Sequence, residues 1–211
     1  MASVTPTRAR LWSRVLYWSV FVGCAGPAAL LGWRTYQGEL GVNPVETLLH
    51  STGRDALATL LVSLAVTPVR RITGWNRVQL VRRMVGLWSF VYAFAHFGIY
   101  AVFNHLGEFA AIWADVIERP FIFSGMAALV ILLALALTST TGMMRRLGRN
   151  WQRLHRFVYL AAVAAVVHFA WGQKADIREP LVWGGVLVVL LSARAAFAWR
   201  RRTTRRSFVS R

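Results

Sequence analysis

Two of the chain's five histidines, His96 and His168, fall deep inside apolar stretches. Imidazole can ligate metals and carry protons. An ionisable side chain within a membrane-length apolar stretch is costly enough to mark a functional site. His96 stands 13 residues beyond Arg83, and His168 stands 13 beyond His155. In helices rising about 1.5 Å per residue, each imidazole lies roughly 20 Å from the same charged end. Two imidazoles at equal depth on parallel helices suit bis-histidine ligation of haem iron, where the axial pair helps set the potential. Hydrogen bonding to a neighbouring helix is the simpler role for one such histidine. It accounts less easily for a depth-matched pair.

The other candidates are more open. A second haem at His155 would need a partner at its own depth on the third apolar stretch, where Arg83 stands instead. Thirteen residues turn a straight helix through about 1300°, roughly 140° short of four turns, so His155 and His168 need not face one neighbour. His155 is therefore a candidate for iron ligation, for bonding a propionate or flavin, or for an interfacial position. Arg83 and Arg153, with Arg82 and Arg156, are candidates to pair with haem propionates or a flavin phosphate, although anchoring at a membrane surface already explains them. His50, beside Arg54, is a candidate contact for a partner or a quinone, with a plain interfacial position equally open. His105, just past the third stretch, is expected to be solvated.

Six elements must position these residues. Apolar stretches at roughly 12–33, 55–73, 82–104, 120–141, 154–173 and 180–199 approach or exceed the length that crosses a bilayer. Asn43-Pro44 opens a segment, 44–52, expected to be a short interfacial helix. Pro120 and Pro180 sit at first turns, where a missing N–H is harmless. Placing the N-terminus in the cytoplasm puts 20 of the 25 basic residues on that side. The remaining five are Arg34, Arg54, Arg119, Lys174 and Arg178. All eight acidic residues fall in or beside the opposite loops. The positive-inside bias thus predicts six spans with both termini cytoplasmic; five spans would put the arginines of the tail on the wrong side. The expected fold is an all-α, six-helix membrane bundle over 1–211, with haem held between helices. Its first stretch is expected to be a retained anchor rather than a cleaved signal.

Composition agrees. The mean hydropathy is +0.46, with 56% hydrophobic and 16% charged residues, against about 25% charged in soluble domains. A net charge of +17 raises the question of nucleic acid. The basic residues, however, form short clusters between apolar runs rather than one soluble face. Cys24 is the single cysteine, so no disulfide framework is possible, and no C-x-x-C-H motif offers covalent haem attachment. Most tryptophans near the span edges fit the aromatic belt. Tyr92 and Tyr159 lie within spans and are placed to bond across helices.

Several polar residues at unusual depths carry a resemblance. Thr138-Ser139, Arg146-Leu147-Gly148, Trp151-Gln152, Leu154-His155, Tyr159, His168, Trp171 and Lys174 resemble the signature of the MsrQ (formerly YedZ) family, part of the ferric-reductase-like transmembrane group. His50-x-Thr52-Gly53, Thr67-Pro68, Arg82-Arg83, Tyr92-Ala93, His96, Tyr100 and Arg119-Pro120 extend it over residues 41–175. The resemblance implies six helices in the bacterial inner membrane. It implies b-type haem, one or two per chain, with ligands at His96, His168 and His155, and bound FMN. It also implies electrons from the quinone pool or a cytoplasmic flavin reductase, passed to a periplasmic molybdopterin partner, MsrP, that repairs methionine sulfoxide in envelope proteins.

Three function classes compete. A membrane electron conduit serving a separate reductase fits the short outer loops. A stand-alone ferric reductase or similar cytochrome-b-like carrier with another acceptor is the alternative; a self-sufficient form would want a flavin and nicotinamide domain, and no Gly-rich fingerprint is present. A non-redox transporter would leave the matched histidines without a use.

Overall fold

The computed structural model describes residues 6–173 and 176–209, with side chains described from 10 to 199 apart from 174 and 175. Lys174 and Arg211, counted in the charge pattern above, lie outside the described residues. The described residues form α-helices, short 3-10 turns and one π turn, with no strand. Long helices follow from the composition: in lipid every backbone N–H and C=O must be satisfied within the segment.

The elements run α1 (Pro6–Tyr36), α2 (Pro44–Thr73), α3 (Gln79–Ile99) continued by a π turn (Tyr100–Asn104), α4 (Phe109–Glu118) and α5 (Pro120–Leu137). They continue with α6 (Thr141–Leu147), α7 (Arg149–Leu154), a 3-10 turn at His155–Phe157, α8 (Val158–Gly172) and α9 (Arg178–Val209). Among the described residues, six stretches are long and apolar enough to cross a membrane: Arg10–Tyr36, Pro44–Thr73, Asn76–Asn104, Pro120–Leu137, Arg149–Gly172 and Arg178–Trp199. These are the six expected.

The expected separate helix at 44–52 is a correction. Pro44 instead starts α2, which runs unbroken to Thr73. The Asn43 side chain caps the Glu46 N–H, and Pro44 takes the first helical position. Nothing in 52–55 breaks the helix, so the lower hydropathy of its first turns marks depth rather than an end. The short helix α4 was not expected.

Four helices form the centre. α2 packs on α3, α3 on α5, α5 on α8, and α8 back on α2, closing a ring; α1 lies against α3 and α2, and α9 against α2 and α8. The ring is tight at one end, where Leu57, Leu60, Leu61 and Leu64 of α2 meet Leu132, Ala161, Ala162 and Leu187. Ala161 and Ala162 are fully buried. Small residues let membrane helices approach closely. A second cluster, Cys24 with Val81, Met84 and Val85, joins α1 to α3.

Two prolines are answered by polar side chains from other helices. In α1, near Pro27, the Tyr92 hydroxyl accepts from the Ala28 N–H at 3.1 Å and donates to the Cys24 carbonyl, a pair that a regular helix would join directly. In α2, Pro68 has no N–H to give the Leu64 carbonyl four residues back. Arg194 of α9 donates there from Nη2, and from Nη1 to the Tyr159 hydroxyl. Both tyrosines thus bond across helices, as their positions implied.

Candidate functional site

Where the ring opens, α2, α3, α5 and α8 enclose a cavity of about 380 Å³, within the roughly 300–1,000 Å³ typical of cofactor and ligand sites. Leu57, Leu60, Ala128 and Leu132 line its depth, and His96 and His168 enter from its walls. His96 comes from α3 and His168 from α8, helices on one diagonal of the ring.

The two imidazole centroids are 6.1 Å apart, with planes at 83°. His96 Nδ1 lies 3.0 Å from the Leu49 carbonyl, and His168 Nδ1 lies 2.7 Å from the Phe121 carbonyl. A carbonyl only accepts, so each Nδ1 carries its proton and each Nε2 keeps its lone pair. This is how metal-binding imidazoles are commonly fixed, through the nitrogen that does not ligate. A metal bonded to one nitrogen of each ring at about 2.0 Å holds the centroids roughly 6 Å apart, which matches the spacing seen. The donor set therefore fits an iron between them, and the apolar walls fit a large planar macrocycle.

Two glycines make room for the rings. A Cβ on Gly125 of α5 would lie 2.6 Å from His168 Nδ1 and 2.8 Å from its Cε1. One on Gly53 of α2 would lie 3.0 Å from His96 Nδ1. Each imidazole thus rests on the bare backbone of the helix whose upstream carbonyl it bonds.

At one end the cavity becomes polar, lined by His50, Arg54, Tyr100, Asn104, Arg119 and Gln173. Arg54 pairs with Glu179 at 2.8 Å, and His50 Nε2 stands 3.6 Å from Glu46. His105, expected to be solvated, is largely buried instead. Its Nε2 lies 2.9 Å from the Tyr100 hydroxyl and 3.1 Å from Asp115 Oδ2. Asp115 also accepts from Tyr100 at 2.8 Å and from Arg119 Nε at 3.0 Å. The carboxylate comes from the unexpected α4, which is why His105 read as a loop residue.

His155 is not brought to this cavity. It begins the turn before α8, stacks on Trp151 with centroids 4.0 Å apart, and places Nε2 3.2 Å from Thr138 Oγ1. Arg83 and Arg153 are exposed and also stand away from the cavity. Among the described residues no cluster of three or more His, Cys, Asp or Glu could hold a bare metal ion.

Sequence reasoning found the two histidines but missed their supports. A backbone carbonyl has no residue signature. One glycine did leave a signal: the pair Ser124-Gly125 interrupts a run of large apolar residues, with Phe121-Ile122-Phe123 before it and Met126 after.

The family model for the ferric reductase like transmembrane component matches residues 52–166, more than half of the chain. The chain is 45% identical over 190 residues to the protein-methionine-sulfoxide reductase heme-binding subunit MsrQ of Rhodospirillum rubrum, covering 90% of this chain and 91% of that one. It is 42% identical over 198 residues to the MsrQ heme-binding subunit of Xanthomonas euvesicatoria pv. vesicatoria, covering 91% and 89%. The same subunit of Xanthomonas oryzae pv. oryzae is also 42% identical, over 194 residues, covering 89% and 88%. No solved structure matches the chain. With this coverage, the chain belongs to the ferric-reductase-like transmembrane family and, within it, to the MsrQ subunits.

Proposed function

We propose that the chain is a haem b membrane subunit that carries electrons across the bacterial inner membrane to a periplasmic methionine sulfoxide reductase. The observation that carries this reading is the pair of imidazoles, 6.1 Å apart, each anchored through Nδ1 to a carbonyl. His96 and His168 would ligate the iron. When bound there, haem supplies reversible one-electron transfer.

The protein's own part is positional. The Leu49 and Phe121 carbonyls hold each Nε2 free for the metal and make the imidazoles better donors. The apolar walls exclude water, which limits reorganisation when charge changes. The leucine-rich end of the ring closes the site on one side. The polar end opens toward the acidic loops, which we place in the periplasm with both termini cytoplasmic, following the positive-inside bias.

The remaining roles extend this reading. Electrons enter at the arginine-rich end, from the quinone pool or a cytoplasmic flavin reductase. His155 lies near that end, and a second haem or an FMN would be sought there. The acceptor is a molybdopterin subunit, MsrP, docking against the acidic loops. The names of the relatives, heme-binding subunits of a protein-methionine-sulfoxide reductase, support a sulfoxide-reducing partner, and the short loops at that end leave the reduction to it.

The test joins spectroscopy and turnover. The purified protein should show a low-spin b-type reduced-minus-oxidised spectrum. Its reduced band should be reoxidised by the periplasmic reductase together with methionine sulfoxide. A haem-free protein from haem-replete cells would end the proposal, and a haem that the reductase never oxidises would remove the assigned acceptor.

A further inference from the structure

The cavity is apolar in its depth and cationic at its mouth. Arg54 and Arg119 line that mouth, Arg54 on α2 and Arg119 at the N-terminal boundary of α5. α2 and α5 lie on one diagonal of the four-helix ring, and the helices bearing His96 and His168 lie on the other. A flat ligand held from the histidine diagonal turns its edges toward α2 and α5. Its edge nearest the mouth then faces the two guanidinium groups.

Neither guanidinium is fully used. Arg119 bonds Asp115 through Nε alone, so among the described residues both its terminal nitrogens are without a partner. Asp115 is held in turn by Tyr100 and His105, which fixes the orientation of Arg119. Arg54 meets Glu179 through Nε at 2.8 Å and Nη2 at 3.1 Å, leaving Nη1. Arg119 and Arg54 expose 57% and 53% of their side chains. They can therefore meet a ligand without first being drawn out of a packed interior. A carboxylate in the leucine-lined depth would lose its hydration with no donor to replace it. At the mouth it would gain charge-assisted hydrogen bonds.

We propose that Arg119 and Arg54 bind the two carboxylates of the haem and so fix its acidic edge toward the polar mouth. The proposal rests on the haem reading above and adds which way the ligand faces. Arg119, with two free terminal nitrogens and a buried carboxylate behind it, is the stronger of the two. Asp115, Tyr100 and His105 act as positioning residues for it.

The experiment compares haem b with its dimethyl ester, which lacks both carboxylate charges. Protein made in haem-depleted cells is titrated with each in detergent, and affinity is read from the Soret band. Wild type should prefer the free acid by about tenfold to a hundredfold, the range for hydrogen bonds to charged groups. Arg119→Gln and Arg54→Gln should each shrink the preference, and together abolish it while ester affinity stays the same. Arg119→Lys should keep part of it, and Arg83→Gln, outside the cavity, all of it. Equal wild-type affinity for acid and ester would overturn the carboxylate seat and leave the haem reading standing. Binding of neither would overturn both.

Discussion

Gly125 offers a graded test of how the site is built. Adding one methyl group there puts a Cβ 2.6 Å from His168 Nδ1 and 3.0 Å from its Cγ. Ordinary contact begins near 3.4 Å, so the ring must retreat by about 0.8 Å. Its Nδ1 bond to Phe121, 2.7 Å long, would then pass beyond about 3.2 Å and weaken steeply. Losing that buried bond costs about 1–3 kcal/mol, and overpacking a filled core costs a similar amount. A loss of about 2 kcal/mol corresponds to roughly thirtyfold weaker haem binding. Gly53→Ala meets His96 at 3.0 Å, a shortfall about half as large, and should cost only a few-fold. Gly98→Ala meets nothing within 4 Å and serves as the control. Haem per chain and Soret titration would rank the three. If Gly125→Ala bound haem as tightly as Gly98→Ala, the cradle would have no role in orienting the imidazole.

Three further predictions concern the scaffold. Tyr92→Phe removes the hydroxyl between Cys24 and Ala28 and should cost about 1–2 kcal/mol, read as a lower detergent melting temperature. Arg194→Gln strips the Leu64 carbonyl of its donor, whereas Pro68→Ala restores a backbone N–H to it. The double variant should recover about 1 kcal/mol beyond additivity in thermal unfolding. Asp115→Ala leaves Arg119, Tyr100 and His105 without their shared acceptor. It should destabilise that end by about 2–3 kcal/mol, and limited proteolysis should cut first between Asn104 and Arg119.

Much of this design could be read from particular residues. Apolar length gave the six spans, because a bilayer demands it. Equal spacing from Arg83 and His155 gave the matched depth of His96 and His168, because the rise of a helix is constant. The interruption expected at residue 52 failed because hydropathy falls at a membrane surface whether or not the helix ends, while the Asn43–Pro44 start signal was visible. His105 was misplaced because its partner Asp115 lies ten residues on, in a helix of 10 residues, shorter than the membrane length by which the spans were found. Arg194 was counted among the anchoring charges of the tail; Pro68 marks the freed Leu64 carbonyl in the sequence, but that Arg194 answers it emerges only when α2 meets α9. Leu49 and Phe121 act through backbone atoms, which their side chains cannot advertise.

The central claim, that His96 and His168 are the axial pair, is tested most directly by haem content and spin state in single variants. Wild type, His96→Ala, His168→Ala and His155→Ala would be purified from haem-replete cells and examined by visible and electron paramagnetic resonance spectroscopy. Wild type should hold a low-spin haem, lost or turned high-spin in each of the first two variants and retained in His155→Ala. Full low-spin haem in both His96→Ala and His168→Ala would contradict it.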